Sequence, residues 1–353
     1  MISYFARLKI PAINPAMTDE GKITLPPEWA MQDALWTAWP SHGDDDRWPA
    51  PYMDRARAEI AQMVRYVTQG QTVYVLAYGE EAVTSARAAI GDVAEIIPAK
   101  FGDLWFRDTG PIFAYDNDGS LLGLRFKTNG WGGKYIYEFD DMVGDTIASR
   151  ANATIRRHDF VLEGGSIEHD GQGLLMTTRE CILNPNRNPT WDQDAAETQL
   201  KSAFGASRII WLDDGMLNDH TDGHIDNIAR FVAPNHVVCQ SPYGANDPNT
   251  QTFKNIYRAL KNEGVEVTLI PSPGLYHDED GEICPASHMN FIITNDCVVM
   301  PTYGAGSTDE AIKILQNLFP NRNVFGVSAK AVLTGGGSFH CITQQQPIPP
   351  QKG

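Results

Sequence analysis

A thiol near the end of the chain sits in a setting that chemistry could use. Cys341 follows Gly335-Gly336-Gly337-Ser338-Phe339-His340 and precedes Ile342-Thr343-Gln344-Gln345-Gln346-Pro347. Three glycines in a row give up side-chain packing, which is tolerated where a backbone takes positive φ or must approach something closely. The stretch reads as a loop that delivers a thiol to a strand. Alone, it is equally a buried structural cysteine beside a turn. Four further groups move the balance. Asp108 lies in Arg107-Asp-Thr-Gly-Pro111, Glu163 precedes two glycines, and His224 and Asp226 stand two apart. Singly these have plain explanations: a surface ion pair, a turn carboxylate, a satisfied core histidine. Together they have one coherent use. A thiol becomes a nucleophile when a cation or a base promotes its thiolate. Paired carboxylates can each take bidentate hydrogen bonds from a planar guanidinium and fix it against the sulfur. Glutamate and histidine can then move the protons that a leaving amine and an incoming water require. On an extended strand, residues two apart point the same way, so His224 and Asp226 would face one site.

His220-Thr-Asp-Gly-His224 also carries the i, i+4 spacing that suits a metal on a helix. Gly223 weakens a helix there, and neither the glutamate of HExxH nor a third histidine at metal spacing is present. The expectation is a site with no metal and no cofactor.

These groups are far apart in the chain, so the elements must gather them. Ala34–Trp39 reads as a buried strand, 52–68 as a helix with apolar Ile60, Met63, Val64 and Val67, and Thr72–Ala77 as a β-branched strand. Helix 80–90 and strand 93–97 follow. From there a grammar repeats: an acidic or histidine residue near glycine opens a strand, a turn returns it, and a helix and a third strand follow. The openings fall at 108, 163, 224 and 288, with the thiol at 341, giving steps of 55, 61, 64 and 53 residues. A period in this range signals a propeller-like array. Packed in a ring, such units would turn their opening residues toward the axis. The segment 335–346 would then pair with Ala34–Trp39 and close the ring. The competing reading is an open α+β sandwich with coincidental spacing.

The chain of 353 residues is 42% apolar and carries a net charge of −16. That charge argues against nucleic-acid phosphates and anionic membranes as partners and suits a small cationic ligand. The five cysteines offer no CxxC pair, which suits a reducing compartment. No apolar h-region opens the chain and no run approaches the ~20 residues of a membrane helix, so the expected location is the cytoplasm.

Trp105-Phe-Arg-Asp-Thr-Gly-Pro111, Glu163-Gly-Gly-Ser-Ile-Glu-His-Asp-Gly171, Cys181-Ile-Leu-Asn-Pro-Asn-Arg-Asn-Pro189, Thr221-Asp-Gly-His-Ile-Asp-Asn227 and Gly335–Pro347, in this order, resemble the agmatine deiminase family, which embraces bacterial-type peptidylarginine deiminases. The resemblance runs from about Pro27 to Pro347 and implies the pentein fold, an α/β propeller of five ββαβ-type units. It implies an N-terminal arm at 1–27, a single catalytic domain at 28–347 and a tail at 348–353. It further implies hydrolysis of agmatine to N-carbamoylputrescine and ammonia, without metal or cofactor, by a homo-oligomer of two or more copies. Carried over by motif, Cys341 would be the nucleophile, Asp108 and Asp226 the guanidinium clamp, and His224 and Glu163 the acid/base pair. Trp105 would line the substrate channel. Two stretches depart from the pattern: His220 stands where an acid is usual, and Thr128-Asn-Gly-Trp-Gly-Gly133 replaces Asn-Ala-Trp-Gly-Gly. Both bear on the tail of the substrate rather than on the chemistry.

Free or peptidyl arginine is the rival substrate class, and would call for a cation to pair the extra carboxylate. A non-catalytic pentein that binds RNA should lack the thiol and acids and show basic surface. A cysteine amidase would need oxyanion donors, where paired aspartates would repel.

Overall fold

The computed structural model describes residues 23–44 and 47–348. Sixteen strands among them fall into five small sheets. The first sheet holds β1 (Gln32–Ala38), β2 (Thr72–Ala77) and β3 (Glu95–Pro98); the second β4 (Ile112–Tyr115), β5 (Leu121–Lys127) and β6 (Thr154–Val161); the third β7 (Ile167–His169), β8 (Leu174–Thr178) and β9 (Arg208–Leu212). The fourth holds β10 (Ala229–Ala233), β11 (His236–Ser241) and β12 (Glu266–Pro271); the fifth β13 (Ile292–Ile293), β14 (Cys297–Thr302) and β15 (Asn323–Ser328). In the second to fifth sheets, an antiparallel pair is followed by a helix and a third strand parallel to the second. The four helices are Asp140–Arg150, Gln193–Phe204, Thr250–Asn262 and Thr308–Leu318.

The first sheet closes the ring. β16 (Thr343–Pro347) runs antiparallel to β1, with Leu35 opposite Gln345 and Thr37 opposite Thr343. This sheet has a fourth strand because a second helix, Glu80–Ile90, follows the helix Tyr52–Val67 and returns the chain as β3. This is the five-unit α/β propeller that the resemblance implies. Of the expected arm, residues 1–22 lie outside the described residues; Thr24 pairs with the backbone of Tyr115 in both directions at 2.8 Å. Of the expected tail, Ile348 alone is described.

The apolar core lies between the sheets. The helix Tyr52–Val67 buries Ala56, Ile60, Met63, Val64 and Val67, one face at a 3.6-residue period. β8, buried at all five positions, reads as the near-continuous apolar run of a strand covered on both faces. Ile112, Leu122 and Leu124 of the second sheet pack with Leu175 and Trp211 of the third. Met176 and Ile210 then pack with Phe231 and Val237 of the fourth, and Val232 and Ile270 with Phe291 and Met300 of the fifth. Val299 and Val327 complete the circuit against Trp36 and Ile60. With the apolar surface spent between sheets, the middle is polar: Arg107, Asp108, Glu163, Glu168, His224, Asp226, Arg230 and His340 are all buried.

The inward residues do not open strands, as the repeat grammar expected. Asp108 sits on a helical turn, Phe106–Thr109, and Glu163 just before the 3-10 turn Gly164–Ser166. His224 directly precedes the 3-10 turn Ile225–Asn227, which carries Asp226. The extended-strand argument for His224 and Asp226 therefore fails. Side chains on a strand face the neighbouring sheets, so a group aimed at the axis has to come from the turn that enters the strand.

Candidate active site

Cys341 ends the glycine loop, with Ile342 between it and β16. Its Sγ lies 3.7 Å from Asp226 Oδ2 and accepts a hydrogen bond from Asn290 Nδ2 at 3.1 Å. Asp226 Oδ2 also accepts from His340 Nδ1 at 2.7 Å, while its Oδ1 has no partner. Across the site, Asp108 Oδ1 accepts from the Gly165 amide at 2.9 Å, and its Oδ2 from the Trp131 indole at 2.8 Å. His224 Nδ1 lies 3.8 Å from Asp108 Oδ1, and neither ring nitrogen of His224 has a hydrogen-bond partner. Glu163 and His224 present donor atoms within 4.8 Å of each other. Glu163 Oε1 accepts from Arg187 Nε at 2.8 Å, which leaves Oε2 free. The fold thus brings Asp108, Glu163, His224, Asp226 and Cys341 to one place.

Burial sets the protonation of these groups. It raises the Cys341 thiol well above its usual value, and the charges of Asp226 and Asp108 add to that rise. Burial likewise raises Asp108 well above the carboxylate range, reinforced by Asp226 and Glu163. Burial would also raise Asp226, but the His340 hydrogen bond and the charges of His340 and Arg230 outweigh it and hold that carboxyl low. Glu163 is raised by burial despite Arg187. His224 is lowered by burial to about 3, so its imidazole is neutral. The site is one thiol, one firm carboxylate, one carboxyl poised to ionise, and two groups free to exchange protons.

Above these groups opens a cleft of about 210 Å³. Cys341 and Asp108 form its floor, Trp105 and Trp131 its walls, and Arg47, Tyr135, Tyr137 and His220 stand toward its mouth. The glycine loop has to be bare here: a methyl group on Gly337 would lie 2.7 Å from the Trp105 ring and 3.2 Å from the Cys341 sulfur. The loop residue Trp131 adopts φ +51°, an uncommon conformation for a bulky side chain, and its indole holds Asp108.

Among the described residues, two buried trios present three donors within 4.8 Å of one another: Glu163, Cys181 and His224, and Glu28, Glu168 and His340. Neither joins His220 to His224. Arg187 pairs with Glu163, and Arg230 with both Glu28 and Glu168, so a cation would compete with arginines already in place. His220 stacks on Tyr135 at the cleft mouth instead.

Residues 24–347 match the family of Porphyromonas-type peptidyl-arginine deiminases. The chain belongs to that family. It is 36% identical to the agmatine deiminase of Stutzerimonas stutzeri, over 92% of this chain and 95% of that protein. It is 35% identical to a putative agmatine deiminase of Mycoplasma capricolum, with the same coverage. Among solved structures it is similar to the agmatine deiminase of Enterococcus faecalis (TM-score 0.88, 30% identity, 93% of this chain and 97% of the other). It is also similar to a C. jejuni agmatine deiminase with substrate bound (TM-score 0.86, 29% identity, 93% and 97%).

In this deiminase-family site, several groups went unassigned by sequence reasoning. Arg187, in the motif 181–189, pins Glu163 and also reaches Asp222 at 2.6 Å. His340 backs Asp226 and reaches Glu28 Oε2 at 3.1 Å on its other nitrogen. Trp131 lies in the stretch noted for departing from pattern. Asn290 opens the fifth unit, where the other units place acids or histidine. Its place in the repeat was the signal that could have found it.

Proposed function

We propose that the chain is an agmatine deiminase, hydrolysing agmatine to N-carbamoylputrescine and ammonia through a covalent amidino-cysteine. The observation that carries this is the Cys341 sulfur, which lines a narrow cleft together with Asp108, standing 3.7 Å from the buried Asp226 carboxyl behind it. A guanidinium between Asp108 and Asp226 would remove their mutual repulsion, let Asp108 ionise, and present a cation to the thiol. That lowers the thiol toward its thiolate only once substrate is bound. Sγ then attacks the guanidinium carbon. The C–S bond forms, a proton passes to one terminal nitrogen, and the C–N bond breaks with release of ammonia. Water gives a proton to the site and its oxygen to the carbon; the C–S bond breaks and the sulfur regains a proton. Glu163 and His224 carry these protons, since both offer unpartnered polar atoms beside the clamp. Charge at the cleft favours agmatine over arginine. Arg47 is committed to Asp44 and, at 2.8 Å, to the Gly102 carbonyl, while Asp103 adds a carboxyl to the lining. Five cysteines without a disulfide suit a cytoplasmic setting, and the family resemblance favours a homo-oligomer.

The test is intact-mass spectrometry of protein quenched during agmatine turnover, with ammonia release scored for agmatine, arginine and arginyl peptides. An amidino adduct on the Cys341 peptide is expected, absent in Cys341→Ala. Arginine turned over as fast as agmatine would overturn the substrate; an adduct elsewhere would overturn the nucleophile.

A further inference from the structure

Cys341 and Glu163 face different openings. The sulfur lines the cleft above the clamp, whereas Glu163 lines a second cleft of about 420 Å³. Asp108 and Trp131 line both, so the two clefts meet at the clamp with the indole as the wall between them. That wall is held on every side. Trp131 Nε1 donates to Asp108 Oδ2 at 2.8 Å, and the Gly132 amide donates to Asn129 Oδ1 at 3.0 Å. Asn129 Nδ2 donates to the Asn186 carbonyl at 2.8 Å, and the Tyr135 amide to the Gly130 carbonyl at 3.0 Å. From Asp108 and Glu163 the second cleft extends past half-buried Thr128 to Glu138 and Asp141, which are exposed. Five of its lining residues are acidic and none is lysine or arginine. It has room for several waters at ~30 Å³ each, and carboxyl walls favour ammonium over anions.

The amidino-cysteine route needs such an opening. Attack by Sγ forms the C–S bond and breaks one terminal C–N bond, and the thiol proton leaves with the nitrogen as ammonia. The amine tail is still bonded to the carbon and occupies the narrow first cleft. Ammonia must depart and water must arrive before that tail can go. The water oxygen then bonds to the carbon and the C–S bond breaks. One water proton returns to the sulfur; the other is surplus and ends on ammonia as ammonium. We propose that the second cleft is the passage by which ammonia leaves and the hydrolytic water enters while the tail fills the first. Glu163, at its inner end, hands the surplus proton to the molecule that crosses there. The inference rests on agmatine being turned over through Cys341.

Turnover of agmatine in 15N-ammonium tests it. Labelled ammonia that reaches the amidino carbon before water does regenerates agmatine carrying 15N, so label in recovered agmatine reads access to the intermediate. Wild type should incorporate label, and none at high ammonium would overturn the passage. Thr128→Phe narrows the second cleft from a position outside the clamp. Its kcat and labelling rate should both fall about tenfold, while iodoacetamide, entering by the first cleft, alkylates Cys341 within about twofold of the wild-type rate. Turnover and labelling within about twofold of wild type, or alkylation slowed as much as turnover, would refute the route. Glu138→Lys/Asp141→Lys, at exposed positions, serves if Thr128→Phe does not fold. Its cationic rim should cut label per carbamoylputrescine formed by about threefold at low salt, with recovery at high salt. An unchanged ratio would overturn the passage. Failure of the agmatine reading shows differently, as no ammonia released from agmatine by the wild type.

Discussion

Asp108 and Asp226 carry the same carboxyl group and stand on either side of Gly165, yet their surroundings push them in opposite directions. A methyl group on Gly165 would lie 2.9 Å from Asp108 Oδ1, 3.0 Å from Asp226 Oδ2 and 2.7 Å from His224 Nδ1, so the bare backbone keeps the clamp open. Asp226 is held ionised by His340, whereas burial leaves Asp108 waiting for a cation. The two amide variants should therefore differ. Asp108→Asn removes a carboxyl that burial raises well above the usual carboxylate range and that, in the proposed mechanism, the bound guanidinium ionises; kcat/KM for agmatine should fall by at least ~10²-fold. Asp226→Asn also breaks the arrangement of His340 and of the thiol proton, and should cost a further order of magnitude or so. Equal losses, measured side by side on agmatine, would mean the His340 contact is idle. At this scale the sequence showed which acids, histidine and thiol to watch, because residue type declares chemistry. It could not show Arg187, His340 or Asn290 as partners. Their roles depend on who stands beside them in space, and only for Asn290 does a place in the repeat point toward the axis.

The strand pair β1 and β16 ties the fold to the site, since Cys341 lies two residues before β16. Its register is fixed by side chains as well as by the ladder. Trp36 Nε1 donates to Gln346 Oε1 at 2.9 Å, Gln346 Nε2 donates to Asp33 Oδ2 at 2.9 Å, and the Tyr115 hydroxyl donates to the Pro347 carbonyl at 2.7 Å. Gln346→Ala leaves the buried Trp36 indole N–H without an acceptor, which should lower the unfolding free energy by about 1–3 kcal/mol. Urea unfolding checks this; a change below about 0.3 kcal/mol would mean that the ladder alone closes the ring. The pairing itself was legible, because a repeat of units that cannot bury their faces alone has to return to its start. The turns that carry the site were not. Alternation along a strand is what the sequence makes visible, and Asp108, Glu163 and Asp226 sit on short turns whose direction is set by sheets on both sides.

Packing the apolar core between the sheets leaves a whole molecule with titratable groups in its interior, and these make stability depend on pH in opposing ways. His288 lies apart from the acids at the cleft, donating from Nδ1 to the Pro271 carbonyl at 2.9 Å, with Nε2 buried and unpartnered. Burial lowers it to about 4. The unfolded chain therefore binds this proton near pH 6.5 while the folded one refuses it, and stability is lost as pH falls from there toward 4. Asp140 is the converse case: it accepts from the Asp103 amide at 3.1 Å, and burial raises it to about 7. The folded chain keeps that proton where the unfolded one has lost it, so stability is gained as pH falls through 7. Between about pH 7.5 and about pH 6 the two contributions should be on the order of 1 kcal/mol each and of opposite sign. Going lower is unhelpful, because the chain nears its pI of about 4.9 and loses the net charge that keeps it dispersed. Urea unfolding of wild type, His288→Phe and Asp140→Asn at both pH values separates them. Relative to wild type, acidification should favour the folded state more in His288→Phe and less in Asp140→Asn. Parallel shifts in all three proteins would show that neither group titrates from the interior that this ring of sheets creates.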